Sequence, residues 1–157
     1  MSVIIGTIDR ELLLMRTNVA AILGGSKALH AKPLTAGDWH QVITRGVPVR
    51  SADALKESLG VNDGTLAALL GVSDKTLTRA RQANAKLDSS TSDRLFRTAR
   101  IAAIARDVLE SESAAADWLK RPQIGLGGAK PIELLTTAAG AQEVEQLLLR
   151  MEYGVYS

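Results

Sequence analysis

The chain has no cysteine among its 157 residues. That excludes disulfides, thiolate metal sites and cysteine nucleophiles together, and agrees with a reducing compartment. Aromatic residues are nearly as scarce. Trp39, Phe96, Trp118, Tyr153 and Tyr156 are the whole set, so a core must be built from Leu, Ile, Val and Ala. The two histidines, His30 and His40, stand apart with no carboxylate motif beside them, which leaves no candidate catalytic residue, metal site or cofactor. No apolar run approaches the roughly 18 to 20 residues that span a bilayer. The apolar patch at 1–6 is followed by Asp9, Arg10 and Glu11, the wrong order for a secretion signal. A cytoplasmic protein that neither crosses nor binds a membrane, and is not an enzyme, is expected.

What is present points to helices. Leucine and alanine, both strong helix formers, dominate the 46% of hydrophobic residues, and an all-α fold is predicted. The length suits one domain, or two small ones sharing a core. The net charge of +2 conceals an asymmetry. Residues 1–60 hold 7 Lys/Arg against 5 Asp/Glu, residues 61–106 hold 8 against 4, and residues 107–157 hold 4 against 8. A basic middle and an acidic end suggest two different partners.

Along the chain, a helix is expected near 9–23, then a loop interrupted by Gly24-Gly25 and closed by Pro33. A second helical unit runs over 38–44 and ends before Gly46 and Pro48. Ser51 is the expected N-cap of a helix to Leu59, with Gly60 just past its end. From Asp63 to Ala80 the pattern becomes specific. Leu66, Ala67 and Leu70 share one helical face, Gly71 stops that helix, Val72 turns inward, and Ser73 caps a second helix with Leu77 and Ala80 inside. This is the pattern of a helix-turn-helix. On the second helix Lys75, Thr78, Arg79 and Gln82 form one acid-free face, flanked by Arg81 and Lys86. Hydroxyls, Arg, Lys and Gln on such a face suit base edges and phosphates in a major groove. The candidate DNA-contacting set is Ser73, Lys75, Thr76, Thr78, Arg79, Arg81 and Gln82.

Ser90 and Asp93 offer a capping box for a long helix to about Leu109. Its stripes, Leu95, Ala99, Ala102 and Ile101, Ile104, Ala105, Val108, imply burial on two sides, the role of a shared spine. Arg94, Arg97 and Arg100 either reach phosphates or keep its outer face soluble. Beyond it, Ser113 caps a short helix with Trp118 and Leu119. The loop of Gly125, Gly127 and Gly128 lacks the spacing and preceding strand of a phosphate-binding loop; its glycines are expected to allow a tight helix crossing. Pro131 opens a helix to about Thr137. A last helix, 141–153, turns Val144, Leu147, Leu148 and Met151 inward and Glu143, Glu145, Gln146 and Arg150 outward. Gly154 ends it. Two of the five aromatics fall in the last five residues, where they either fold back on the core edge or meet a partner.

Trp118-Leu119, Gly125-Leu126-Gly127-Gly128, Pro131 with Leu134-Leu135, Gly140, Val144, Leu148 and the ending Glu152-Tyr153-Gly154-Val155-Tyr156-Ser157 resemble the toxin-binding domain of the Xre/MbcA/ParS antitoxins. In that family the domain follows a helix-turn-helix, and Leu70 to Arg79 occupies the matching place. The resemblance covers 36–157. It departs at Lys75 and Ala80, where arginine is common, which leaves the operator sequence open. It implies three segments: 1–35, with no role assigned; 36–106, an Xre-like helix-turn-helix domain; and 107–157, a small helical toxin-binding domain. It implies a RES-domain toxin that depletes NAD⁺, its cleft obstructed by the C-terminal domain with Glu152, Tyr153, Gly154, Val155, Tyr156 and Ser157. It also implies repression of the protein's own operon by a homodimer on operator DNA. The competing reading is a stand-alone helix-turn-helix regulator whose C-terminal domain dimerises or senses.

Overall fold

A computed structural model describes residues 18–154. Helices joined by short turns make up this region, and it contains no strand, only an isolated bridge between Pro48 and Lys86. Residues 18–22 are helical; the rest of the helix expected near 9–23 lies outside the described residues, as do Val155, Tyr156 and Ser157. The loop expected after it instead holds a short helix, α1 (Gly25–Leu29). Gly24 and Gly25, both at positive φ, redirect the chain so that helix can resume. The early residues join the common core: Val19, Ile22, Leu23 and Leu29 are buried with it, and α1 packs on the Val49–Leu59 helix.

α2 (Ala36–Arg45) starts at a capping box in which the Thr35 hydroxyl accepts the Asp38 amide and Asp38 accepts the Thr35 amide. α3 (Val49–Leu59) does not begin at Ser51 as expected. Pro48, with φ already helical and no N–H to satisfy, occupies the N-cap, and Ser51 lies fully buried inside the helix with its hydroxyl unpartnered. α4 (Asp63–Leu70) and α5 (Asp74–Ala83) form the expected pair, with Asn62 and Ser73 as N-caps.

α6 (Ser89–Leu109) is the spine. Its cap is Asp88, not Ser90: the carboxylate accepts the Thr91 amide at 2.7 Å and so takes the site a hydroxyl would have filled. Leu95, Ala99, Ile101, Ala102, Ala103, Ile104 and Ala105 are all buried. One side of α6 meets α2, α3 and α4. Its other side meets α7 (Glu112–Leu119) and α9 (Ala138–Glu152). Each large aliphatic withdrawn from water here contributes about 1.5–3 kcal/mol. Phe96 leans on Trp39 of α2 with ring centroids 4.9 Å apart, joining two of the few aromatics. The expected boundary between 106 and 107 therefore falls inside a continuous helix.

In the last third, Ser111 rather than Ser113 caps α7; its extended backbone lets the hydroxyl accept the Ala114 amide, while Ser113 is already helical. A 3₁₀ turn at Ile124–Leu126 precedes α8 (Pro131–Leu134), which is shorter than expected, and Thr137 then caps α9. Val144 and Leu148 are buried as expected. Glu145 is not outward: it is half-buried against α6, where Arg100 holds it with two 2.7 Å bonds. Among the described residues no helix is long and apolar enough to cross a membrane.

Candidate nucleic-acid interface and C-terminal surface

The helix pair is positioned by its turn. Gly71 ends α4 at φ 68° and donates to the Ala67 and Ala68 carbonyls, and Val72 packs partly into the core. A Cβ at Gly71 would fall on the Arg94 guanidinium, whose Nη1 donates to the Leu70 carbonyl at 3.2 Å. Arg94 thus caps the end of α4 from the spine. Ser73 accepts the Thr76 amide and shares a hydroxyl bond of 2.9 Å with Thr76. Both residues stand exposed at the start of α5, but their hydroxyls are engaged in setting its first turn.

Leu77 is buried and Ala80 half-buried beneath α5. Opposite them Lys75, Thr78, Arg79 and Gln82 are all exposed. The structure thus presents these four on one helical face, as their spacing predicts. Asp74 stands in the first turn, where an acid complements the helix dipole. The Thr78 hydroxyl donates to the Asp74 carbonyl, which leaves its lone pairs outward.

Arg81 behaves differently from the rest of the candidate set. Its Nε donates to Asp53 at 2.9 Å, and its Nη1 and Nη2 donate to the two Asp63 oxygens at 3.0 and 2.7 Å. Lys56 adds a 2.9 Å ion pair to Asp63. The guanidinium is therefore committed to a network that ties α5 to α3 and α4, and is turned away from the exposed face. Hydrogen bonds from Arg81 and then Lys56 hold the Asp63 carboxyl far below its ordinary value, and the bonds to Asp63 and then Asp53 raise Arg81 beyond any pH of interest. No local pattern could have revealed this, because the partners lie 18 and 28 residues from Arg81. Arg100 is likewise committed to Glu145, so of the spine arginines it and Arg94 serve the fold.

At the other end, Tyr153 is 74% exposed and Gly154 continues at φ 65°. Tyr153 does not fold back onto the core. Glu152 beside it is also exposed. Val155, Tyr156 and Ser157 complete the expected tail beyond the described residues. The glycine loop divides in its purpose. Gly125 does permit close packing, since a Cβ there would lie 2.7 Å from Leu147 Cδ1, whereas Gly127 and Gly128 have open space and serve a turn at positive φ. Among the described residues no group of three or more His, Asp or Glu could hold a metal ion.

Residues 38–100 match the family described as the antitoxin Xre-like helix-turn-helix domain. Residues 105–154 match the antitoxin Xre/MbcA/ParS C-terminal toxin-binding domain. The chain is 30% identical over 116 residues to antitoxin Xre of Yersinia enterocolitica, covering 73% of this chain and 78% of that one. It is 29% identical over 117 residues to antitoxin Xre of Photorhabdus laumondii, covering 74% and 79%. A Sphingobium protein named Prs ADP-ribosylating antitoxin is 26% identical over 126 residues, covering 74% and 79%.

Proposed function

The chain belongs to the Xre antitoxin family, with a helix-turn-helix followed by a toxin-binding C-terminal domain, and from that premise we propose that its toxin is a RES-domain protein that depletes NAD⁺. Neutralisation is by occlusion: the C-terminal unit, 107–157, covers the toxin's cleft with the tail Glu152, Tyr153, Gly154, Val155, Tyr156 and Ser157. The acidic balance of this third favours a cationic NAD-binding cleft, where carboxylates take the places of phosphates. The Sphingobium relative's name carries ADP-ribosylation, a reaction that consumes NAD⁺, and supports the same chemistry. The observation that carries the reading is the toxin-binding match over 105–154, ending in an exposed Tyr153.

The second activity is repression of the protein's own operon by the unit 36–106. Lys75, Thr78, Arg79 and Gln82 contact operator DNA, Ser73 and Thr76 shape the helix start that approaches the backbone, and Arg81 supports from behind. One helix-turn-helix reads one half-site, so the repressor acts as a homodimer on a two-fold operator. The protein is not an enzyme, needs no cofactor and works in the cytoplasm, where its DNA is.

The test is co-expression with the protein encoded by the neighbouring reading frame, reading growth and cellular NAD⁺. The full chain should preserve both and co-purify with that protein, and removal of 153–157 should release toxicity. Loss of NAD⁺ in the presence of the full chain overturns the reading. Continued neutralisation by the truncated chain removes the tail from it.

A further inference from the structure

An isoleucine held in water by a rigid loop is a poor accident. Ile124 is 98% exposed, at the start of the 3₁₀ turn that follows α7. The turn is not loose. Gln123 Nε2 donates to the Trp118 and Arg121 carbonyls at 3.0 and 3.2 Å, and the Gln123 amide donates to Ala129 at 3.0 Å. The Gly127 and Gly128 amides return to Ile124 and Gln123 at 3.0 and 2.9 Å. Beneath it, Gly125 seats the turn directly on Leu147 of α9. Single exposed apolar residues are ordinary on a surface. Here, however, three of the four large hydrophobics exposed among the described residues, Ile124, Leu149 and Tyr153, lie within the toxin-binding match.

We propose that Ile124 is a preorganised anchor that enters an apolar pocket on the toxin. The proposal rests on the neutralising function argued above and adds a contact separate from the C-terminal tail. A fixed loop has already lost the conformational freedom that binding would otherwise remove, so a single side chain in a fitted pocket contributes most of its burial to affinity. Arg121 and Lys130, both exposed, flank the turn with no acid between them, the opposite sign to the rest of its third, whereas Lys120 is half-buried and its Nζ donates to the Gly60 carbonyl at 3.3 Å. The toxin pocket is therefore apolar with an acidic rim, and lies outside the cationic cleft that the acidic tail covers.

The experiment measures binding of full-length Ile124→Asp and Ile124→Leu to the toxin encoded by the neighbouring reading frame, by calorimetry, with operator binding and thermal melting in parallel. Ile124→Asp should weaken toxin binding at least about tenfold, Ile124→Leu should stay within about threefold of the unaltered chain, and operator affinity and melting should not move. Toxin binding by Ile124→Asp equal to that of the unaltered chain overturns the anchor and leaves the function standing. If Ile124→Asp instead turns a dimer into a monomer at undiminished toxin affinity, the loop belongs to a second copy and the anchor is overturned. An unaltered chain that binds no toxin overturns function and anchor together.

Discussion

Four cations along α5 and just beyond it, Lys75, Arg79, Arg81 and Lys86, have the same formal charge and different duties. Arg81 is consumed by Asp53 and Asp63, whereas Lys75 and Arg79 face solvent beside Thr78 and Gln82. Replacing Lys75 and Arg79 together by alanine should therefore weaken operator binding by well over about tenfold in a gel shift, since each base or phosphate contact is worth about 1–3 kcal/mol, and leave the melting midpoint unchanged. Arg81→Ala should do the reverse first: the midpoint falls, because two carboxylates lose the guanidinium that joins three helices. Asp63 gives this network a pH signature. Its folded carboxyl ionises far below the ordinary 3.8, so the unfolded chain takes up that proton first as acid is added. The stability it contributes is complete at neutral pH and is lost as pH falls below the ordinary value toward the folded one. Asp63→Asn should thus be less stable at pH 7, and its melting midpoint should fall less steeply than that of the unaltered chain between about pH 5 and about pH 2.

Among the elements, the turn between α4 and α5 is the most demanding. Gly71→Ala should cost about 1–2 kcal/mol for a left-handed alanine, more once Arg94 is pushed from the Leu70 carbonyl, and urea denaturation would read it. Much at this scale was legible beforehand. The helix pair, its Ser73 cap, the spine ending at Leu109 and the inward Val144 and Leu148 all follow from local spacing and propensity. The helix starts were read less well where several capping residues compete within three positions. Asp88 displaced Ser90 and Ser111 displaced Ser113 because the choice depends on which residue is extended, and tertiary packing decides that. The partners of Arg81 and Arg100 were illegible for a different reason: they are 18 to 45 residues away, and no local period connects them. Ile124 left a trace that could have been read, a lone branched aliphatic in a glycine-rich loop with no apolar periodicity to place it inside.

For the whole molecule, one core serves every surface. Residues 18–29, the helix-turn-helix and the C-terminal helices share one core, in which α2, α3, α4, α7 and α9 pack directly on α6, and the Arg100–Glu145 pair joins the spine to α9. Calorimetry should accordingly record a single unfolding transition, with equal calorimetric and van't Hoff enthalpies. Two resolved transitions would mean that the helix-turn-helix and the C-terminal helices stand independently. The charge asymmetry announced two working surfaces, but nothing in it announced that they would share a helix. That sharing governs how the protein can be dismantled and how it can diverge. On the proposed function, a protease that opens α6 would remove operator grip and toxin cover in one event, so that release of the toxin and renewed transcription of the antitoxin would begin together. Exchange of C-terminal halves between relatives at 106/107 cuts through the spine, so new toxin specificity is more readily reached by altering exposed residues than by recombination.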